Sequence, residues 1–102
     1  MAEPESRWTF LSNHAYVLVC IARNPDTRLR DIAQDVGITE RAAQGILGDL
    51  VEAGYVERTR VGRRNTYVVD MDVPLRHELE RGHSVGDLVR AVGAGRSASG
   101  PN

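Results

Sequence analysis

The chain has one cysteine, no lysine and no long apolar run, and each shortage excludes something. Cys20 alone has no partner for an internal disulfide and cannot build a cysteine-based zinc site within one chain. The longest uninterrupted apolar stretch, 15–22, spans eight residues, whereas a membrane-crossing helix needs about 20. The opening Met1-Ala2-Glu3-Pro4-Glu5 is acidic where a signal peptide is basic, so the chain reads as cytoplasmic. His14, His77 and His83 lack the i, i+4 spacing of a helical metal pair, and neither a metal nor a cofactor is expected. There is no Ser–His–Asp order, glycine-rich phosphate loop or carboxylate pair in a supporting context, which argues against an enzyme.

What is present fits one small globular domain. The 102 residues are 41% apolar and 26% charged, a soluble composition at single-domain length. Thirteen basic residues against fourteen acids leave a net charge of −1, which alone speaks against a nucleic-acid binder. All thirteen are arginines. A G- and C-rich genome favours arginine codons, and arginine also suits bidentate recognition of phosphate and guanine. Their distribution decides more than their number. The segment 58–64 holds four arginines and no acid, leaving nine arginines against fourteen acids elsewhere, a net of −5. A basic tip on an acidic body is a polarised molecule.

Along the chain, residues 1–11 form an N-terminal extension in which 1–7 fray and Trp8-Thr9-Phe10-Leu11 is apolar enough to pack. Ser12 or Asn13 caps a helix from His14 to Arg23, ended by Asn24-Pro25. Its apolar residues surround the axis, so it is central or shared with a partner; a buried strand is the competing reading. Leu29, Ile32, Ala33 and Val36 fall at helical spacing and Gly37 stops that segment. Thr39 is a helix cap, followed by Ala43, Ile46, Leu47, Leu50 and Val51 on one face and a stop at Gly54. Residues 55–61 and 65–69 are rich in Val, Thr and Tyr around a turn with Gly62, a β-hairpin signature. Pro74 suits the first turn of a short helix carrying Leu75 and Leu79. Ser84 and Asp87 resemble a capping box opening a last helix, 85–92, with Val85, Leu88, Val89 and Val92 inward. The tail 93–102 is flexible by composition.

Helix, three-residue turn, helix and basic hairpin form the layout of a winged helix-turn-helix, a mainly α fold with a small β-hairpin wing, hence α+β. Within it Ala33 is small where two helices cross, Gly37 makes the turn, Ile38 plugs the core, and Ile46 anchors the second helix nine residues past the glycine. Residues 29–41, 50–58 and 62–67 carry a resemblance to winged helix-turn-helix transcription regulators of the MarR and ArsR type, over about residues 12–70. The resemblance implies a homodimer on palindromic double-stranded DNA, with the third helix in the major groove and the wing along the backbone. MarR proteins usually carry longer helical arms, and the cysteine and histidine metal motifs of many ArsR repressors are missing, so neither sensing mode carries over. An effector is left open.

Geometry then nominates residues. With one face of the third helix apolar, Thr39, Arg41, Ala42, Gln44, Gly45 and Gly48 lie outward. Arg41 suits guanine and Gln44 adenine, while the three small residues permit close backbone approach. In the wing, Arg60, Arg63, Arg64 and Asn65 suit phosphates or the minor groove. A dimer seam is expected from the first helix and the C-terminal segment 71–92, through Tyr16, Val17, Val19, Leu88, Val89 and Val92, because so much apolar surface exceeds one small core. Cys20 reads as a small hydrophobe, and Trp8, Phe10 and Tyr16 as core in preference to a ligand pocket. The rival function is a winged helix that meets an acidic protein surface through its wing arginines.

Overall fold

A computed structural model describes residues 8–94; of the flexible tail expected at 93–102, Gly93 and Ala94 instead close a helical turn, and the rest of it, like the fraying N-terminus expected at 1–7, lies outside the described residues. The element order is three helices, a two-stranded antiparallel hairpin and a short C-terminal segment. Helix α1, Asn13–Arg23, is capped by Ser12, whose Oγ accepts the Ala15 N–H at 3.1 Å. It lies at the centre, against α2 (Leu29–Val36), α3 (Glu40–Glu52) and the C-terminal turns. That central place explains its all-round apolar surface. Gly37 takes the left-handed conformation, φ 87°, that ends α2 cheaply only for glycine. Its N–H and that of Ile38 both return to the Ala33 carbonyl, at 2.8 and 3.0 Å. Thr39 then caps α3, its Oγ1 accepting the Ala42 N–H at 3.0 Å.

Strands β1 (Val56–Val61) and β2 (Arg64–Val69) pair from Val56↔Val69 to Val61↔Arg64 around a Gly62-Arg63 turn, with Gly62 at φ 63°. One core gathers Val17, Leu18 and Ile21 of α1, Ile32 and Ala33 of α2, Ala43, Ile46, Leu47 and Leu50 of α3, Tyr55 and Val56 at the wing base, and Val85 and Val89. Each fully buried Ile or Val in it contributes about 1.5–3 kcal/mol.

Several expectations are corrected. Pro74 starts no helix: it bridges Ser84, with Leu75 N–H to the His83 carbonyl and Val85 N–H to that of Val73. Val73 and Leu75 turn inward and Pro74 and Arg76 outward, the period of a strand. Only Glu78–Glu80 forms a 3₁₀ turn, leaving Leu79 almost wholly exposed. The last helix, α4, is Val85–Val89, followed by a π-helical turn at Arg90–Ala94 whose wider winding carries Val92 off the inner stripe. The Ser84–Asp87 capping box is present, both hydrogen bonds formed. Trp8 and Phe10 stay out of the core, 68% and 91% exposed, with rings edge-to-face at 5.1 Å.

Candidate nucleic-acid interface

All six outward residues nominated on α3 are exposed: Thr39, Arg41, Ala42, Gln44, Gly45 and Gly48. Gly45 and Gly48 are informative because a Cβ built on either meets nothing within 4 Å. Neither has a positive φ, so the fold itself gives no reason for glycine there. A glycine in a helix interior costs about 0.8–1.0 kcal/mol relative to alanine.

Between α3 and the wing lies a groove of about 590 Å³. It brings together four of the nominated residues, Gln44 and Gly48 from α3 with Arg64 and Asn65 from β2. Thr39, Arg41, Ala42 and Gly45 sit outside it on the exposed face of the same helix, and Arg60 and Arg63 towards the hairpin end. The groove adds Arg28 and Arg58, which sequence reasoning passed over. Register was the signal for Arg58: it stands opposite Tyr67 and shares a hairpin face with Arg60 and Asn65. For Arg28 the signal was its place as N-cap of α2, where a side-chain acceptor is usual and a cation opposes the helix dipole; it makes no capping bond.

The wing is docked, not free. The Arg64 guanidinium donates to the Asp26 carbonyl at 3.0 Å, and the Tyr67 N–H donates to that of Pro25 at 3.3 Å. Arg64 therefore serves first as a strut to the α1–α2 loop, a role not anticipated from the sequence. Arg60 Nε donates to the Gly62 carbonyl at 3.4 Å. These acceptors are neutral and leave the charges uncompensated. Among the described residues, guanidinium–carboxylate pairs occur at Arg81–Glu78 and Arg90–Asp87 in the C-terminal segment, and none involves Arg28, Arg41, Arg58, Arg60, Arg63 or Arg64. These six guanidinium charges thus have no carboxylate within ion-pair distance among the described residues.

The residues nominated for a dimer seam divide. Val17 and Val89 belong to the core, 0% and 2% exposed, and Val19 is 7% exposed. They have almost no surface left to offer, because one core absorbs more of α1 than its crowded sequence suggested. Tyr16 and Leu88 are half-buried and Val92 is exposed. Cys20 is half-buried; burial pushes its thiol pKa up, Asp35 adds to the rise and Arg23 opposes it. Among the described residues no three His, Cys, Asp or Glu side chains are grouped to hold a metal ion. No helix among them is long and apolar enough to cross a membrane.

Comparison with known proteins agrees with this geometry. The model of the MarR family matches residues 9–64, just over half of the chain, ending in the wing. No curated protein matches the chain. Among solved structures, the fold is similar to the crystal structure of the zinc-dependent MarR family transcriptional regulator AdcR in the Zn(II)-bound state. The TM-score is 0.51 at 13% identity, over 84% of this chain and 55% of that one. The chain therefore spans about half the length of that regulator, and the likeness is one of fold.

Proposed function

The chain belongs to the MarR family of transcriptional regulators, and from that premise we propose that it binds double-stranded DNA sequence-specifically in the cytoplasm. The family is one of regulators, not of enzymes. In this reading the unit at 12–70 does the binding. Helix α3 enters the major groove, with Arg41 and Gln44 reading base edges and Thr39, Ala42, Gly45 and Gly48 admitting the duplex close to the helix backbone. Arg28, Arg58, Arg60, Arg63 and Asn65 hold the phosphate backbone or the minor groove.

The observation that supports it best is the pair of glycines on α3. The chain bears their helix-weakening cost on an open face, beside a groove whose arginines have no carboxylate partner among the described residues. The proposed assembly is a homodimer on a palindromic site, its seam built on Tyr16, Leu88 and Val92 and not on the buried valines. Half-sites about one helical turn apart then follow from the two-fold axis.

The test is fluorescence anisotropy on selected and scrambled duplexes at several salt concentrations. Arg58→Ala with Arg63→Ala should weaken binding to every duplex and flatten the salt dependence. Each lost phosphate contact removes about 0.9 from the slope of log affinity against log salt, so two per subunit remove roughly 3–4 in a dimer. Gln44→Ala should keep the slope and relax preference at one base pair per half-site by about 1–3 kcal/mol. A wing variant with an unchanged slope overturns the phosphate role and favours an acidic protein as the partner.

A further inference from the structure

The start of the eight-residue helix α2 carries three features that its local structure leaves unexplained. Its first turn is uncapped. The first intrahelical bond runs from the Ile32 N–H to the Arg28 carbonyl at 2.9 Å, so the N–H groups of Leu29, Arg30 and Asp31 have no acceptor within the helix, and no side chain supplies one. The N-cap itself is Arg28, a cation at the positive end of the dipole. Thr27, just before it, is the one buried polar residue among those described, only 9% exposed. Its N–H donates to the Asn24 carbonyl at 3.0 Å, but its hydroxyl has no hydrogen-bond partner among the described residues. A buried hydroxyl left without a partner is costly, and native folds rarely keep one without a reason.

All three features meet one surface. Thr27, Arg28 and Leu29 line the groove between α3 and the wing together with Arg58 and Arg64, and no acidic residue lines it. Asp31, the acid in the first turn of α2, stands exposed outside that lining. The cavity on the other side of Thr27 holds both Arg23 and the Asp35 carboxylate, a balance that favours no anion. On the groove side an oxyanion answers all three features at once. It accepts from the Thr27 hydroxyl and the uncapped N–H groups, it suits the dipole, and it turns Arg28 from an opposing charge into a counter-ion. Phosphate fits best, because its several oxygens can serve the hydroxyl, the amides and the planar guanidiniums together.

We propose that the start of α2 is a binding site for a single phosphate group, held by the Thr27 hydroxyl, the first-turn N–H groups and the Arg28 guanidinium, with Arg58 and Arg64 on the opposite wall of the groove. That group has two sources, the backbone of a duplex or a free phosphorylated compound. Its assignment to a duplex rests on the DNA-binding reading; the site itself does not. A free phosphate compound bound there would occupy part of the face offered to DNA, so the two would compete.

Titration of the isotope-labelled full chain with inorganic phosphate, read by amide chemical shifts at constant ionic strength, tests the site without DNA. The Arg30 and Asp31 amides should shift saturably, with a dissociation constant of about 0.1–5 mM. Chloride at the same ionic strength should leave them in place. Thr27→Val keeps the shape and removes the hydroxyl. It should lose roughly three- to tenfold in phosphate affinity yet melt no lower than wild type, since the fold gives that hydroxyl no partner. Thr27→Ser, which keeps the hydroxyl, should bind phosphate within about twofold of wild type. Arg28→Asp supplies the missing cap acceptor from the chain itself, so binding should vanish while the melting temperature rises. If Thr27→Val does not fold, Arg28→Asp carries the same comparison. Shifts spread over every arginine-bearing segment without saturation, unchanged phosphate affinity in Thr27→Val, or equal losses in the valine and serine variants each overturn the proposal. Duplex anisotropy then separates the sources. A matching loss of duplex affinity in Thr27→Val assigns the site to the DNA backbone, and an unchanged one assigns it to a free phosphate compound. If the chain binds no duplex, the DNA-binding reading fails and the phosphate titration still decides the site.

Discussion

Replacing Gly45 and Gly48 of α3 with alanine should make the protein more stable and a worse DNA binder. Both positions lie inside the 13-residue helix, and an added Cβ at either meets nothing within 4 Å. The folded chain therefore has no steric reason to resist the methyl groups. Helix propensity contributes about 0.8–1.0 kcal/mol per substitution, hence about 1.6–2 kcal/mol for the pair. In a domain of this size that corresponds to a melting temperature higher by roughly 6–15 °C. On DNA the same methyl groups occupy space that a closely approaching duplex needs. Forcing methyl-sized groups into a packed contact costs about 1–3 kcal/mol, so affinity should fall about tenfold or more for each subunit. Differential scanning calorimetry and anisotropy titration on the same preparations read both quantities. Higher stability with unchanged affinity would refute the placement of this face against DNA. Unchanged or lower stability would refute the premise that the glycines serve nothing inside the fold.

The remaining predictions concern the wing, the thiol and the C-terminal cap. Arg64→Ala should lower stability by about 0.5–1.5 kcal/mol, because its hydrogen bond to the Asp26 carbonyl docks the wing; hydrogen exchange should show the Tyr67 amide less protected in that variant. Cys20, its thiol pKa raised chiefly by burial, should react with a disulfide reagent more slowly at neutral pH than an unfolded control, with the rate–pH midpoint displaced upward; an equal rate would contradict its burial. Asp87 has its pKa lowered, first by the Ser84 N–H and then by Arg90. Its contribution is therefore present above the ordinary value of 3.8 and lost as pH falls through its lower folded value. Melting curves of wild type and Asp87→Asn should converge in that acid range, and a gap that persists there would assign the difference to something other than charge.

The parts legible in the sequence were those decided locally. The α2–turn–α3 unit rests on Gly37 and the Thr39 cap, which act within four residues, and both acted as their chemistry suggests. The hairpin rests on alternation and a glycine turn, equally local. Residues 73–84 were misread because proline favours a helix start and also tolerates an edge bridge, and the partner that decides between them, Ser84, is ten residues away. Val17 and Val89 show the same limit: an apolar side chain does not reveal whether its neighbour belongs to this chain or to another. In the candidate interface, the exposure of the α3 residues followed from helix periodicity. For Arg28 the sequence offered only an indirect sign, a cation at the start of α2, and folding brings that start beside the wing.

The docking of the wing has a mechanical consequence. The hairpin is fastened twice, at its base through the Tyr55 N–H to the Leu50 carbonyl of α3, and along β2 through Tyr67 and Arg64 to the loop after α1. Two fastenings on different elements turn the groove into a gauge of set width, where a singly hinged hairpin would swing. In the proposed complex a duplex would meet a span chosen beforehand, with little ordering entropy left to lose on association. The same clasp joins α1 to the wing without passing through α3. A tilt of α1 would therefore be felt at the wing directly, as well as through the packing of α1 on α3.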